Sequence, residues 1–449
     1  MDIRHEEKKK AWDHQTVMER IRDSFGEHIP EDVSLQFLMA CGNKLVYPKL
    51  QEGQELNGML IHKVYKTKAL AEKVPVQEIL LELSSKISTK QQCKFNINRS
   101  AVWEGAMRGF QRVSYDPNLM ICVKFSDDMG RNEEGVDLGG PRREFLRLLM
   151  ETIARSPMFE GKENSKNLAL DILIYALRED RYYTAGRAIA VSLVHGGPPP
   201  NFLSPTVFSL LVDGSANPVL EDIADTELLE KVKKVSESTT LEDLEKSKAP
   251  LLDYLANAGC LRPMRSIRDR DLQVHDIVMF QVIHRVQGPF QRFCEGLKTL
   301  GVLEKIPRHP DSFRPLFCYE PSTLTADRVD DLFSIRLSPE GSNKRAAEEM
   351  VVTFWRDYLQ DAEEEEGPSK LQKILAFATG ASVVPPIGFS PTPSVQFIHK
   401  GDDDFSSTPM FPMANTCVNC IKLPLHVSYQ LFKEKFDFAL GNTYGFGRA

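Results

Sequence analysis

The chain has 449 residues, 42% of them hydrophobic and 27% charged; this excludes a chain disordered throughout and leaves room for two or three domains with their own cores. A formal net charge of -7 and a pI near 5.9 argue against nucleic acid as the main partner. No apolar run approaches the roughly eighteen residues of a membrane span, and Met1-Asp2-Ile3-Arg4-His5-Glu6 has no apolar run for a signal peptide, so the eight scattered cysteines are expected as reduced thiols in the cytoplasm or nucleus.

In chain order, residues 1–73 read as a small α/β, β-grasp-like interaction module. Val17, Ile21 and Phe25 recur every fourth residue before Gly26, the pattern of an amphipathic helix with a glycine stop. Val33, Leu35, Phe37 and Met39 alternate with Ser34 and Gln36, and Leu45-Val46-Tyr47 and Met59-Leu60-Ile61 are candidate partner strands. Residues 74–94 read as a short apolar element, Ile79 to Leu83, followed by a polar linker from Ser84 to Gln92. The second unit is expected to start near Phe95.

Ile97 to Glu104 predicts a helix and Met120 to Phe125 a strand. Gly139-Gly140-Pro141 then opens a helix on which Phe145, Leu148, Leu149 and Ile153 share one face. The glycine pair lacks the spacing of either common phosphate-binding motif. Tyr182 to His195 is apolar on nearly every side and predicts a buried helix ending at Gly196-Gly197-Pro198, with His195 as a helix-terminal residue. From about 204 to 334 the pattern is mainly helical, as in Thr226 to Val235 and Asp271 to Leu300.

Leu337-Ser338-Pro339-Glu340-Gly341-Ser342-Asn343 predicts a flexible connector. Beyond it, Met350, Phe354 and Tyr358 define a helical face with Trp355 beside it, and the acidic run Asp361 to Glu366 reads as a solvated connection. Leu371, Ile374, Leu375 and Ala378 repeat at helical spacing up to Gly380, Val395 to Ile398 predicts a strand, and Phe432, Phe436, Ala439 and Leu440 line a closing helix.

The chemistry concentrates in Phe411-Pro412-Met413-Ala414-Asn415-Thr416-Cys417-Val418-Asn419-Cys420-Ile421-Lys422-Leu423-Pro424-Leu425. Four readings of Cys417 compete: a buried packing thiol, a C-x-x-C redox pair with Cys420, half of a zinc site, and an acyl-accepting nucleophile. Asn415, Thr416 and Asn419 favour a turn over a core. A redox pair usually opens a helix, whereas Ile421, Leu423 and Pro424 read as extended, and no second ligand pair completes a zinc site.

Phe411-Pro412, then Thr416-Cys417-Val418-Asn419, then Leu423-Pro424 resembles the active-site loop of HECT-type ubiquitin ligases, with Cys417 in the place of the thiol that accepts ubiquitin. Three further strings are similar to that family: Asp137-x-Gly139-Gly140-x-x-Arg143-Glu144-Phe145, the aromatic and Gly-Arg helix ending at His195, and Phe377-x-Thr379-Gly380 through Pro385 to Gly388-Phe389. The resemblance runs from about residue 95 to the end of the chain, and the rewritten stretch from 204 to 334 is nearest a divergent, mitotic-phase-specific subgroup.

The resemblance implies an α+β fold in which a two-lobed HECT domain follows the small module. The large, mainly helical N-lobe would span 95–336, the hinge 337–345 and the small α/β C-lobe 346–449. It implies a ligase that takes ubiquitin from a conjugating enzyme as a thioester on Cys417 and passes it to a substrate lysine. Thr416 and Asn419 would belong to the site, and Phe446, four from the last residue, would orient the donor ubiquitin. Asp137, Arg143 and Glu144 are expected to be structural, ion-paired residues of the lobe core. Ubiquitin, a conjugating enzyme and protein substrates are the implied partners, with no cofactor, metal, nucleic acid or membrane. A non-catalytic scaffold of the same fold is the alternative, and a thiol redox protein a third.

Thiol chemistry suits so sparse a site. Exchange of one thioester for another is nearly balanced in free energy, and the thiolate is the reactive form. Lys422 and His426 are the cationic candidates near it in sequence, and Asp402, Asp403 and Asp404 are available acids for the lysine step. The loop departs from the family in having Asn415 where His is usual and Leu425-His426 where an aromatic often stands.

Overall fold

The computed structural model describes residues 39–41, 44–46, 74–127, 129–133, 137–170, 178–321, 324–365, 369–399 and 410–442. The chain divides into two compact units, Met1–Val74 and Pro75–Ala449. In the first, β1 (Met39–Cys41) pairs antiparallel with β2 (Lys44–Val46), so that Met39 faces Val46 and Cys41 faces Lys44. The expected helix around Val17 to Phe25 and the strand at Met59 to Ile61 lie outside the described residues.

The second unit begins well before Phe95, and residues 74–94 are not a linker. Helix α1 (Val76–Ser84) buries Ile79, Leu80 and Leu83, and β3 (Ser88–Asn98) follows almost at once. The first half of β3 is polar and exposed, and its register with the parallel β4 (Leu119–Ser126) is irregular between Ser88 and Gln92. Ser88 pairs with Leu119 and Gln92 with the next residue, Met120, so the stretch between them bulges out of the ladder with polar side chains, and composition alone hides it. From Cys93 onward alternate residues turn inward: Cys93, Phe95 and Ile97 are buried. Helix α2 (Val102–Phe110) makes the crossover between the two parallel strands.

Helix α3 (Gly140–Arg155) has Pro141 in its first turn and buries Phe145, Leu146, Leu149 and Ile153. A hairpin of β5 (Phe159–Lys162) and β6 (Ser165–Leu168) follows. Helix α4 (Arg181–Val194) is buried around most of its circumference, as its all-round apolarity predicts. His195 caps it, with Nε2 3.0 Å from Pro117 O. Burial pushes its imidazole down to about 4, so it is a neutral packing residue.

A helical subdomain comes next, built chiefly on α5 (Thr226–Glu237) and α6 (Asp269–Val282). Asp225 caps the first by accepting from Leu228 N–H. Ile223, Val232, Val235, Leu244, Leu255, Ile277 and Val278 form its own core. Helix α7 (Gln287–Leu297) then returns the chain to the main core, burying Phe293 and Leu297.

The C-terminal lobe is a four-stranded sheet under helices. Its strands are β7 (Ser334–Ile335), β8 (Ser394–Ile398), β9 (Met413–Asn415) and β10 (Cys420–Pro424), in the order β7-β8-β10-β9. β8 runs parallel to both neighbours, and β9 pairs antiparallel with β10. The helices are α8 (Ala326–Leu332), α9 (Asn343–Glu364), α10 (Lys370–Thr379) and α11 (Tyr429–Gly441). Trp355, Tyr358, Ile374, Leu375, Ile421, Leu423, Phe432 and Phe436 fill the space between helices and sheet, and replacing Trp355 by Ala would cost about 3–5 kcal/mol. The whole is the α+β architecture expected.

Three details differ from the sequence pattern. The core face of α9 is Val351, Trp355, Tyr358, Leu359 and Ala362, and Met350 is exposed, because Glu348 and not Met350 turns inward one turn before Val352. The acidic run does not begin as a solvated connection. Asp361 lies in the last turns of α9, where it accepts from Tyr429 Oη and Lys433 Nζ at 2.5 Å each, and Glu363 accepts from Ala326 N–H at 2.6 Å.

The division between the lobes also falls earlier than 337–345. Ala326, Val329 and Phe333 share the C-terminal core, while Cys318 still bridges to Leu203. Residues 343–345 already belong to α9, and Glu348 secures the loop before it. Ser338 donates to Glu348 through both N–H and Oγ, at 2.6 Å each.

Candidate active site

The thiol sits in the turn that joins β9 to β10. Asn415 pairs across the ladder with Cys420, leaving Thr416 to Asn419 to reverse the chain. Two local bonds shape the reversal: Cys417 N–H donates to Asn415 Oδ1 at 3.1 Å, and Val418 N–H donates to Asn415 O at 3.2 Å. Asn415, the departure from the family pattern, is therefore the residue that holds the amide of Cys417.

Asn419 then turns the chain into β10. Its φ of 51° is left-handed, a conformation Asn tolerates better than most residues. Its side chain is fully buried, with Nδ2 donating to Pro391 O at 2.6 Å, and its carbonyl accepts from Ser394 N–H at 2.8 Å. This anchors the turn to the start of β8.

Cys417 is half-buried and Val418 beside it is 48% exposed, so the first reading, a thiol sealed in the core, does not hold. Cys420 has the opposite fate: it is 1% exposed within β10, its thiol lies 3.6 Å from Ile421 O, and it is a free cysteine. The pair opens a strand rather than a helix. Among the described residues no group of three His, Cys, Asp or Glu side chains is arranged to hold a metal ion. Around the turn, Met410, Phe411, Met413 and Phe438 are exposed, and Phe411 stacks on Phe438 at 4.8 Å between centroids.

The N-terminal lobe completes the site from the far side. Asp137 is buried, and its carboxylate accepts from Val123 N–H at 2.7 Å and Gly139 N–H at 2.8 Å, fixing the loop that leads into α3. Glu144 pairs with Arg99 at 2.8 Å. Both are structural; Glu144 is ion-paired, whereas Asp137 is held by backbone N–H groups instead.

Arg143 is not confined to its own lobe core. It is 5% exposed and reaches the C-terminal lobe: Nε donates to Thr379 O and Nη2 to Thr416 O, each at 2.6 Å, and Nη2 also donates to Asn419 Oδ1. Burial pushes its guanidinium down to about 10, helped by Arg142 and opposed by the negative charge of Asp137. It remains charged at neutral pH, and its bond to Thr416 O sets it beside the peptide unit that carries the Cys417 amide.

Two glycines permit this approach. A Cβ on Gly140 would collide with Thr416 Oγ1. Gly380 ends α10 with φ near 81°, and a Cβ there would lie 2.7 Å from Gly140 O.

The cations proposed from sequence proximity lie elsewhere. Lys422 is exposed on β10. His426 is buried against Phe432, 6.2 Å between rings, and its pKa is lowered by burial and then by Lys435. Asp402, Asp403, Asp404 and Phe446 lie outside the described residues. Sequence reasoning missed the reach of Arg143 because its partners follow it by 236 to 276 positions. The signal available was the glycine pair beside it, which marks a close approach by something.

The family model for the HECT-domain (ubiquitin-transferase) matches residues 147–449. The chain is 41% identical over 367 residues to a G2/M phase-specific E3 ubiquitin-protein ligase of Gallus gallus, covering 81% of this chain and 47% of that protein. It is 37% identical over 370 residues to the protein of that name in Homo sapiens, covering 82% and 49%. Against the E3 ubiquitin-protein ligase RSP5 of Saccharomyces cerevisiae the identity is 22% over 388 residues, 80% of this chain and 44% of the other. The chain thus spans about half the length of the curated relatives it matches.

Proposed function

The chain belongs to the HECT-domain family, and on that premise we propose that it is a ubiquitin-protein ligase that carries ubiquitin as a thioester on Cys417. The observation that carries this reading is the turn itself: a half-buried thiol whose backbone amide is held by Asn415 and whose loop is locked by buried Asn419. Such a thiol is reachable by a large partner yet fixed in direction.

Loading is a thioester exchange. The Cys417 thiolate attacks the carbonyl carbon of ubiquitin on a conjugating enzyme, the new C–S bond forms, and the old one breaks with its electron pair on the conjugating enzyme's sulfur. In the second step a substrate lysine amine takes the acyl group. Thr416 and Asn419 serve by holding the turn, and Phe446 is the candidate for orienting the bound ubiquitin. The partners are ubiquitin, a conjugating enzyme and protein substrates, met in the cytoplasm or nucleus.

The test is incubation with a ubiquitin-charged conjugating enzyme, read on gels with and without reducing agent. A ubiquitin adduct that reducing agent removes, and that Cys417→Ala lacks, is the expected result. Binding without an adduct, across a panel of conjugating enzymes, would leave the scaffold reading in its place.

A further inference from the structure

Three acceptors from two segments of the C-terminal lobe converge on one side chain of the N-terminal lobe. Thr379 O ends α10, and Thr416 O and Asn419 Oδ1 belong to the thiol turn; all accept from Arg143. A guanidinium suits the task because its donors form a rigid fork, which a lysine lacks. The contact is nearly dry, at 5% exposure, which strengthens each bond and makes an unmet one costly. The bare Gly140 and the left-handed Gly380 beside it let the two backbones close to this distance.

We propose that Arg143 is a positioning residue for the transfer step: it holds the thiol turn against the N-terminal lobe and lends positive charge to the Cys417 sulfur as that sulfur departs. This rests on the reading of Cys417 as the thioester residue. In transfer the neutral amine nitrogen attacks the thioester carbonyl and the C–N bond forms. The C–S bond breaks with its electron pair on Cys417 Sγ, and the surplus amine proton passes to solvent.

In loading the same sulfur is the attacking group. Whatever steadies an attacking thiolate also blunts its nucleophilicity, with a Brønsted coefficient of about 0.4–0.5, so a neighbouring cation brings little net gain there. A leaving sulfur has no such compensation. The influence of Arg143 therefore falls mainly on transfer.

The experiment compares the full chain with Arg143→Ala, Arg143→Lys and Gly140→Ala in single-turnover loading from a charged conjugating enzyme and in discharge to free lysine. The ratio of discharge rate to loading rate should fall about tenfold in Arg143→Ala and recover in part in Arg143→Lys, which keeps the charge but not the fork. It should also fall in Gly140→Ala, where the added methyl pushes Thr416 away and leaves the arginine in place.

Hydrogen exchange supplies a readout that needs no ubiquitin. Amides of residues 413–420 should exchange faster in both alanine variants, with those of residues 371–379 unchanged. An unaltered rate ratio, or exchange quickened throughout the C-terminal lobe, would overturn the proposal. Should Arg143→Ala fail to fold, Gly140→Ala carries the test. A wild-type chain that never loads would refute the thioester reading alone, and the exchange data would still decide whether Arg143 holds the turn.

Discussion

Two buried polar clusters of the C-terminal lobe differ in who completes them. Around Glu348, which is 1% exposed, Ser338 donates twice and His399 Nε2 stands 2.6 Å from the carboxylate, while Arg345 donates to Ser338 O at 3.1 Å. Every member belongs to the C-terminal lobe or the loop that enters it. Around Asn419 the last donor, Arg143, comes from the other lobe. A cluster closed within one lobe can be lost only by unfolding part of that lobe. One shared across a boundary depends on both lobes, and a change at Arg143 can remove it with each lobe still folded.

The contrast can be broken most sharply at Glu348. Glu348→Ala orphans the Ser338 donors inside the lobe and should lower that lobe's stability by about 3 kcal/mol, seen as an earlier urea midpoint. If the midpoint stays put, the cluster is not the internal fastener described.

Asn419→Ala should cost less, about 2 kcal/mol, from its lost bond to Pro391 and a left-handed backbone that Ala tolerates poorly. It should also slow transfer, which Glu348→Ala should not do while folded. Equal effects of the two substitutions on transfer would erase the distinction between the clusters.

Acid sharpens the comparison further. Burial alone would raise the Glu348 pKa, but the two bonds from Ser338 and the one from His399 outweigh it and hold the carboxyl below its usual range. The unfolded chain therefore takes up this proton first as pH falls. The contribution is whole above about pH 4.3 and fades as pH drops through the folded value. Glu348→Gln should flatten the acid limb of a stability-against-pH curve, and an unchanged limb would assign the loss to other carboxylates.

The smallest effect is expected at Cys420. Cys420→Ala removes a buried sulfur and should cost about 1 kcal/mol while leaving the reducible ubiquitin adduct in place. Loss of the adduct would revive a joint role for the two cysteines.

What could be read from sequence follows the range of the forces involved. Leu371, Ile374, Leu375 and Ala378 repeat at helical spacing and all four are buried, and Gly380 ends their helix with a positive φ. Phe432 and Phe436 behave likewise. These are outcomes of local periodicity against a single core. Residues 88–92 escaped because the strand there is bulged and exposed, with polar side chains that carry no apolar signal. The face of α9 was misjudged because buried Glu348 replaces an apolar residue and satisfies its charge with Ser338 and His399, partners 10 and 51 positions away. The site divides in the same manner. The turn that presents Cys417 is written in Asn415 and Asn419 beside it, but the arginine that braces the turn arrives from the opposite end of the fold.

The early start of the C-terminal core decides which elements present the thiol. Cys318 is still bridged to Leu203, whereas Ala326, Val329 and Phe333 already pack in the core beneath Cys417's sheet. Helix α8 and strand β7 therefore belong to the thiol's own scaffold, and β7 supplies the fourth strand by pairing with β8, the strand to which Asn419 ties the turn. A substitution that loosens Val329 or Phe333 would thus be felt at the turn although it lies more than eighty positions before Cys417.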